Sequence, residues 1–152
     1  MARTHKPEFY EMAQGDAVAL LERHHVGRLA YSFRDRVDIE PISYIFHEEW
    51  VYGRTSPGTK LNTVQHSPWV AFQVDEVESR FDWRSVVVHG TLYFLDPDGG
   101  DREREAYADA VELLRSIDAA VLTSADVTPH RSTLFRIHAD AITGRAARSS
   151  ID

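Results

Sequence analysis

RLAYSFRDRVDIEPISYIFHEEWVYGR, residues 28–54, holds three apolar segments of strand length separated by two polar tripeptides. The segments are Arg28–Phe33, Val37–Phe46 and Trp50–Arg54. Between them, Arg34-Asp35-Arg36 and His47-Glu48-Glu49 are short enough to be hairpin turns, so the stretch predicts a three-stranded antiparallel meander. Pro41 removes one ladder donor, which places an edge or a bulge within the second strand.

Working outward, Trp69–Asp75 and Trp83–Leu95 alternate as half-buried strands do. Val70, Phe72 and Val74 share one face of the first, and Val86, Val88, Leu92 and Phe94 share one face of the second. Gly90 interrupts the longer run and reads as a bulge or a close approach. A last strand over 133–138 leads to Ala141-Ile142-Thr143-Gly144-Arg145. Helices are expected at Asp16–His24, with Asp16 as N-cap and Gly27 as terminator, and at Asp101–Ala119, where Tyr107, Ala110, Val111, Leu114 and Ile117 recur at helical spacing. A further short helix is expected between the third and fourth strands. Helices do not alternate with strands, so a parallel α/β sheet is excluded. The expectation is a mainly β fold: a six-stranded, Greek-key-like closed or split β-barrel with flanking helices. It forms a single domain over 1–152, with flexible tails at about 1–10 and 146–152.

Composition limits function. A formal charge of −7 over 152 residues argues against general nucleic-acid binding and against docking on anionic lipid. The absence of cysteine excludes disulfides and thiol catalysis. No leader-like or membrane-spanning apolar run is present, which points to a cytoplasmic protein. The histidines show no His-Glu-x-x-His pattern, and no metal site is expected.

Against this acidic background, Arg54-Thr55-Ser56-Pro57-Gly58-Thr59-Lys60 concentrates two cations and three hydroxyls at the end of a strand. Arg supplies a planar fork of donors, Lys a point charge, and Ser and Thr short hydroxyl donors, a set suited to a phosphate. The same residues could equally be solvated turn charges; no Walker A or Rossmann pattern is present. A second cluster, Arg80-Phe81-Asp82-Trp83-Arg84-Ser85, puts Trp83 and Ser85 on one strand face, as a flat heteroaromatic ligand or a subunit contact would require.

Four stretches in this order carry a resemblance: Gly27-Arg28-Leu29-Ala30, Pro41-Ile42-Ser43-Tyr44, Arg54-Thr55…Gly58-Thr59-Lys60-Leu61, and Trp83-Arg84-Ser85-Val86-Val87-Val88-His89-Gly90. The chain resembles the pyridoxamine 5'-phosphate oxidase-like family of FMN-binding split barrels, and most of all its short, nitroimidazole-resistance-like members. The resemblance implies a homodimeric flavoprotein with FMN between two protomers. It implies that Arg54, Thr55 and Lys60 hold the phosphate with Ser56 and Thr59 nearby, and that Ile42, Ser43 and Tyr44 line the ring edge. Trp83 and Ser85 would approach from the partner subunit. The implied activity is an oxidoreductase acting on a small planar substrate, with a nicotinamide or another reductant as electron donor; the residues assign no catalytic acid or base. The deazaflavin F420, with Arg80 and Arg84 as added cations, is an alternative, and so is a non-catalytic flavin or haem binder. The basic, Trp-containing C-terminal segment of true pyridoxamine phosphate oxidases has no counterpart in 146–152, so vitamin B6 oxidation is not implied.

Overall fold

The computed structural model describes residues 6–57 and 68–150. In chain order the elements are β1 (Lys6–Glu11), α1 (Gln14–Arg23), β2 (Val26–Phe33), β3 (Arg36–His47), β4 (Trp50–Thr55), β5 (Trp69–Ser79), β6 (Asp82–Phe94), α2 (Asp101–Ile117) and β7 (Thr133–Ser150). All pairings are antiparallel. The sheet order β1-β7-β4-β3-β2-β5-β6, with a further β7–β6 pairing, closes six strands into a barrel. β7 closes it because it is long: Thr133–His138 pair with β4, Phe135–Ala147 with β6, and Arg145–Ser150 with β1.

Strand alternation fills the barrel. Leu29, Tyr44, Phe72, Val86, Val88 and Phe135 all point inward and are fully or almost fully buried, and α1 adds Leu20 and Leu21 to the same cluster. The Tyr44 hydroxyl donates to the Leu21 carbonyl at 2.7 Å, tying helix to barrel. Burial pushes that phenol above its usual range, so it remains a donor. α2 lies outside, where Ala110 and Leu114 form a second cluster with Tyr52 of β4 and Leu134 of β7.

The meander forms as its spacing predicts. Pro41 is tolerated because β4 pairs only with Tyr44–His47, leaving β3 one-sided over Arg36–Ser43. At Gly90 the β6–β7 register shifts, and an added Cβ would lie 1.7 Å from the His138 carbonyl oxygen. Gly90 is therefore a place where two backbones meet.

Three expectations are corrected. α1 begins at Gln14 with Ala13 at the N-cap and no side-chain cap, and it ends at Arg23. Gly27 does not end it; it sits in β2, where a Cβ would strike the Phe72 ring at 2.3 Å. The tails are not loose over 6–10 and 146–150, which pair as β1 and the end of β7. Ladder hydrogen bonds hold that edge although β1 buries almost none of its side chains. The short helix expected between β4 and β5 lies outside the described residues. No helix among the described residues is long and apolar enough to cross a membrane.

Candidate functional site

β4 runs outward from the meander and carries its alternating residues to two environments. Val51, Gly53 and Thr55 face the barrel, while Trp50, Tyr52 and Arg54 face the side covered by α2. Beyond α2 the chain crosses back over the end of β4 as residues 118–132, and this crossing encloses a cleft of about 570 Å³. That size lies within the roughly 300–1,000 Å³ of small-molecule and cofactor sites.

One wall is the β2–β3 side: His25, Val26, Glu40, Pro41, Ile42 and Ser43. The end of β4 supplies Arg54, Thr55 and Ser56. The opposite wall comes from the end of α2, with Leu114 and Ile117, and from the crossing loop, with Val121, Val127, Thr128, His130 and Arg131. Apolar surface dominates the α2 wall, and hydroxyl groups cluster at the end of β4. A planar apolar ligand with one polar end suits such a lining.

Arg54 is the most constrained polar side chain at the cleft. Its Nη1 donates to Asp126 Oδ2 at 2.6 Å and to the Arg131 carbonyl at 3.3 Å. Its Nη2 donates to Asp126 Oδ1 at 3.1 Å and to Thr128 Oγ1 at 3.0 Å. The guanidinium side chain is 11% exposed and the Asp126 carboxylate fully buried. Asp126 also accepts the Leu122 and Thr128 N–H groups, both at 2.9 Å. The Arg54 hydrogen bonds first, then these two N–H groups, hold the Asp126 carboxyl well below the usual carboxylate range despite its burial. Leu122 adopts a left-handed conformation, φ 56°, to bring its N–H to this carboxylate.

On the facing wall, the Tyr31 hydroxyl donates to Glu40 Oε1 at 2.6 Å. Burial, then the bond to Glu40 and the nearby Glu40 and Asp38 charges, push the Tyr31 phenol above its usual range, so it orients Glu40 as a donor.

Of the residues singled out from sequence, Ile42, Ser43, Arg54, Thr55 and Ser56 meet at this cleft. Thr59 and Lys60 lie outside the described residues. Tyr44 points into the barrel, and its N–H donates to the His25 carbonyl at 2.9 Å. Trp83 and Ser85 lie on the outer face of β6 rather than on the cleft wall of their own chain; Ser85 Oγ accepts from Gln73 at 3.0 Å. The added cations expected from Arg80 and Arg84 are committed elsewhere. Arg84 pairs with Glu76 at 3.1 Å and Asp82 at 3.7 Å, and Arg80 lies over the Phe81 ring. Sequence reasoning missed the crossing loop. Its legible signal was Asp126-x-Thr128-Pro129, an acid followed by turn residues with two basic residues behind them.

Fold and cleft define a split-barrel protein with a cofactor-sized site at the end of β4. The chain belongs to the pyridoxamine 5'-phosphate oxidase family, whose model matches residues 13–146. It is 28% identical over 97 residues to an uncharacterized protein of Rhizobium meliloti (strain 1021); the match spans 64% of this chain and 64% of that protein's length. A FAD-binding protein from Mesorhizobium loti superposes with a TM-score of 0.72 at 24% identity, over 94% of this chain and 99% of that one. A FAD-binding protein from Mycobacterium smegmatis gives 0.65 at 23% identity, over 91% and 98%. At these identities the two likenesses speak for the fold.

Proposed function

We propose that this protein binds a flavin nucleotide in the cleft at the end of β4 and uses it as an oxidoreductase. The observation that carries the reading is the meeting of Ile42 and Ser43 with Arg54, Thr55 and Ser56 around one cofactor-sized cleft, in a chain of this family. The FAD-binding proteins of the same fold support a flavin.

The residues fit such a guest. The apolar wall from Leu114, Ile117 and Val121 would cover a ring system and exclude water from it. Ile42 and Ser43 would border the ring edge, Ser43 through its hydroxyl. Thr55 and Ser56 would donate to the phosphate, together with Thr59 and Lys60 of the adjoining segment. Arg54 has both terminal nitrogens engaged and its charge met by Asp126, so it would act through its Nε–H. When bound, the flavin supplies the redox chemistry, while the protein binds and orients it. Trp83 and Ser85 would complete the site from a second subunit, and a nicotinamide would be the reductant for a small planar substrate.

The test is the absorbance of purified protein and its titration with FMN. Protein that is yellow, or that quenches FMN fluorescence at micromolar concentration and turns over a nicotinamide donor, supports the proposal. Colourless protein that neither FMN nor FAD can reconstitute overturns it.

A further inference from the structure

The ion pair between Arg54 and Asp126 fixes more than β4. Through Thr128 Oγ1 and the Arg131 carbonyl, the guanidinium bolts the crossing loop to the end of the strand. Arg131 is held from its other side by its own N–H, which donates to the Thr128 carbonyl at 3.0 Å. The backbone that presents the Arg131 and His130 side chains is therefore fixed before any ligand arrives. Both side chains line the cleft, and neither has a hydrogen-bond or ion-pair partner among the described residues.

Among the described residues, the other charged groups on the walls are Arg54, Glu40 and Asp118. Arg54 is matched by Asp126. Glu40 accepts the Tyr31 hydroxyl, and Asp118 Oδ1 accepts the Ala120 N–H at 3.1 Å. Arg131 is thus the lining guanidinium still free to meet an anion, with the His130 ring beside it as a further donor. Both side chains are exposed, so what is fixed in advance is the backbone that carries them, and a ligand would still order the guanidinium.

We propose that Arg131 and His130 form a second anion subsite, separate from the Thr55–Ser56 turn, which takes an anionic group lying beyond the first phosphate of the flavin. This rests on the flavin reading and sharpens it: the ligand is a flavin-type cofactor with at least two anionic centres. The diphosphate of FAD and the anionic tail of F420 both have that chemistry.

The experiment titrates riboflavin, FMN, FAD and F420 into the full chain, followed by fluorescence. The proteins are wild type, Arg131→Ala, Arg131→Lys and His130→Ala, each checked for an unchanged thermal melt. Losing a charged hydrogen bond should weaken FAD or F420 about tenfold in Arg131→Ala. FMN, with its single phosphate held at the Thr55–Ser56 turn as proposed, should change by less than about twofold. Arg131→Lys should recover part of the loss. A loss confined to FAD identifies a diphosphate; one confined to F420 identifies its tail. Equal losses for all ligands, or none, would overturn the subsite while leaving the flavin reading intact. Failure of all four to bind wild-type protein would overturn both.

Discussion

Glu76 shows how single side chains fasten this barrel. One carboxylate of β5 meets Arg23 and His24 at the end of α1 and Arg84 of β6, with contacts of 2.6, 2.9 and 3.1 Å. Burial pushes its carboxyl up, but the hydrogen bonds from His24, Arg23 and Arg84 outweigh that and bring it from an ordinary 4.5 to about 2. A carboxyl whose folded value lies below its unfolded one stabilises the fold above the unfolded value and loses that contribution as pH falls through the folded one. The window is therefore about pH 4.5 down to about 2. A displacement of that size corresponds to about 3 kcal/mol, and solvent screening around the half-exposed Arg23 reduces the expected contribution to about 2 kcal/mol. Glu76→Gln should cost about that much in urea unfolding at neutral pH, and its curve should converge with wild type near pH 2. A constant gap across that range would show that Glu76 acts through packing instead. No such hub was legible in the sequence, because residues 23, 76 and 84 meet only once the barrel closes. The Arg54–Lys60 turn was legible as a cluster of donors, yet its chemistry depends on Asp126, 72 residues further on.

The hairpins show local sequence deciding geometry with unusual residues. Arg34 and Asp35 have φ values of 47° and 64°, and Glu48 and Glu49 have 45° and 72°. Two successive left-handed residues make the tight turn whose twist suits antiparallel strands, but Asn and Gly are its usual occupants. Asp tolerates this conformation better than Glu, since its short side chain can bond locally. Glu49→Gly should therefore stabilise the protein by about 0.5–1 kcal/mol, the relief of strain exceeding the added freedom of the unfolded chain. Its ion pair with His138, at 3.7 Å and largely exposed, offers little to set against that. Asp35→Gly should change stability by less than half as much; equal effects in thermal melts would refute the strain argument. The strands were readable because period-2 alternation survives wherever one face is buried, as along Val70–Val74 and Val86–Leu92. β1 was not, because Lys6–Glu11 exposes nearly every side chain and so carries no alternation. Gly27 misled for a related reason: glycine after a helix usually signals its end, whereas here it makes room for Phe72.

At the scale of the molecule, the closed barrel buries its inner face and leaves an outer one on which exposed apolar residues stand among polar ones. Cross-strand register sets Ile39, Ala30, Ala71, His89 and Ala141 in one row, and Val77, Trp83 and Ala147 in another. Ile39 is 68% exposed and Val77 67%, and Trp69, 55% exposed, stacks on His89. Neither α1 nor α2 packs its buried side chains on this surface. Val26, Pro41 and Ser43 belong to the outer face of β2 and β3 and also line the cleft, so the cleft opens onto it. A second copy seated here would bring Trp83 and Ser85 toward the cleft of the first, as a shared flavin site requires. Period-2 patterning told which residues share this face; whether a second copy covers it is not encoded in one chain's periodicity. Twofold symmetry would place each Ile39 in the interface, so Ile39→Asp acts twice. Losing about 1.5 kcal/mol of burial per copy weakens a dimer at least about 100-fold, before the cost of burying the charge. Sedimentation should find wild type dimeric and Ile39→Asp monomeric at micromolar concentration. The monomer should keep the wild-type circular dichroism spectrum and bind FMN at least about tenfold more weakly, because each cleft then lacks Trp83 and Ser85 from its neighbour. A wild-type monomer, or a monomeric variant with undiminished FMN affinity, would mean that each chain builds its site alone.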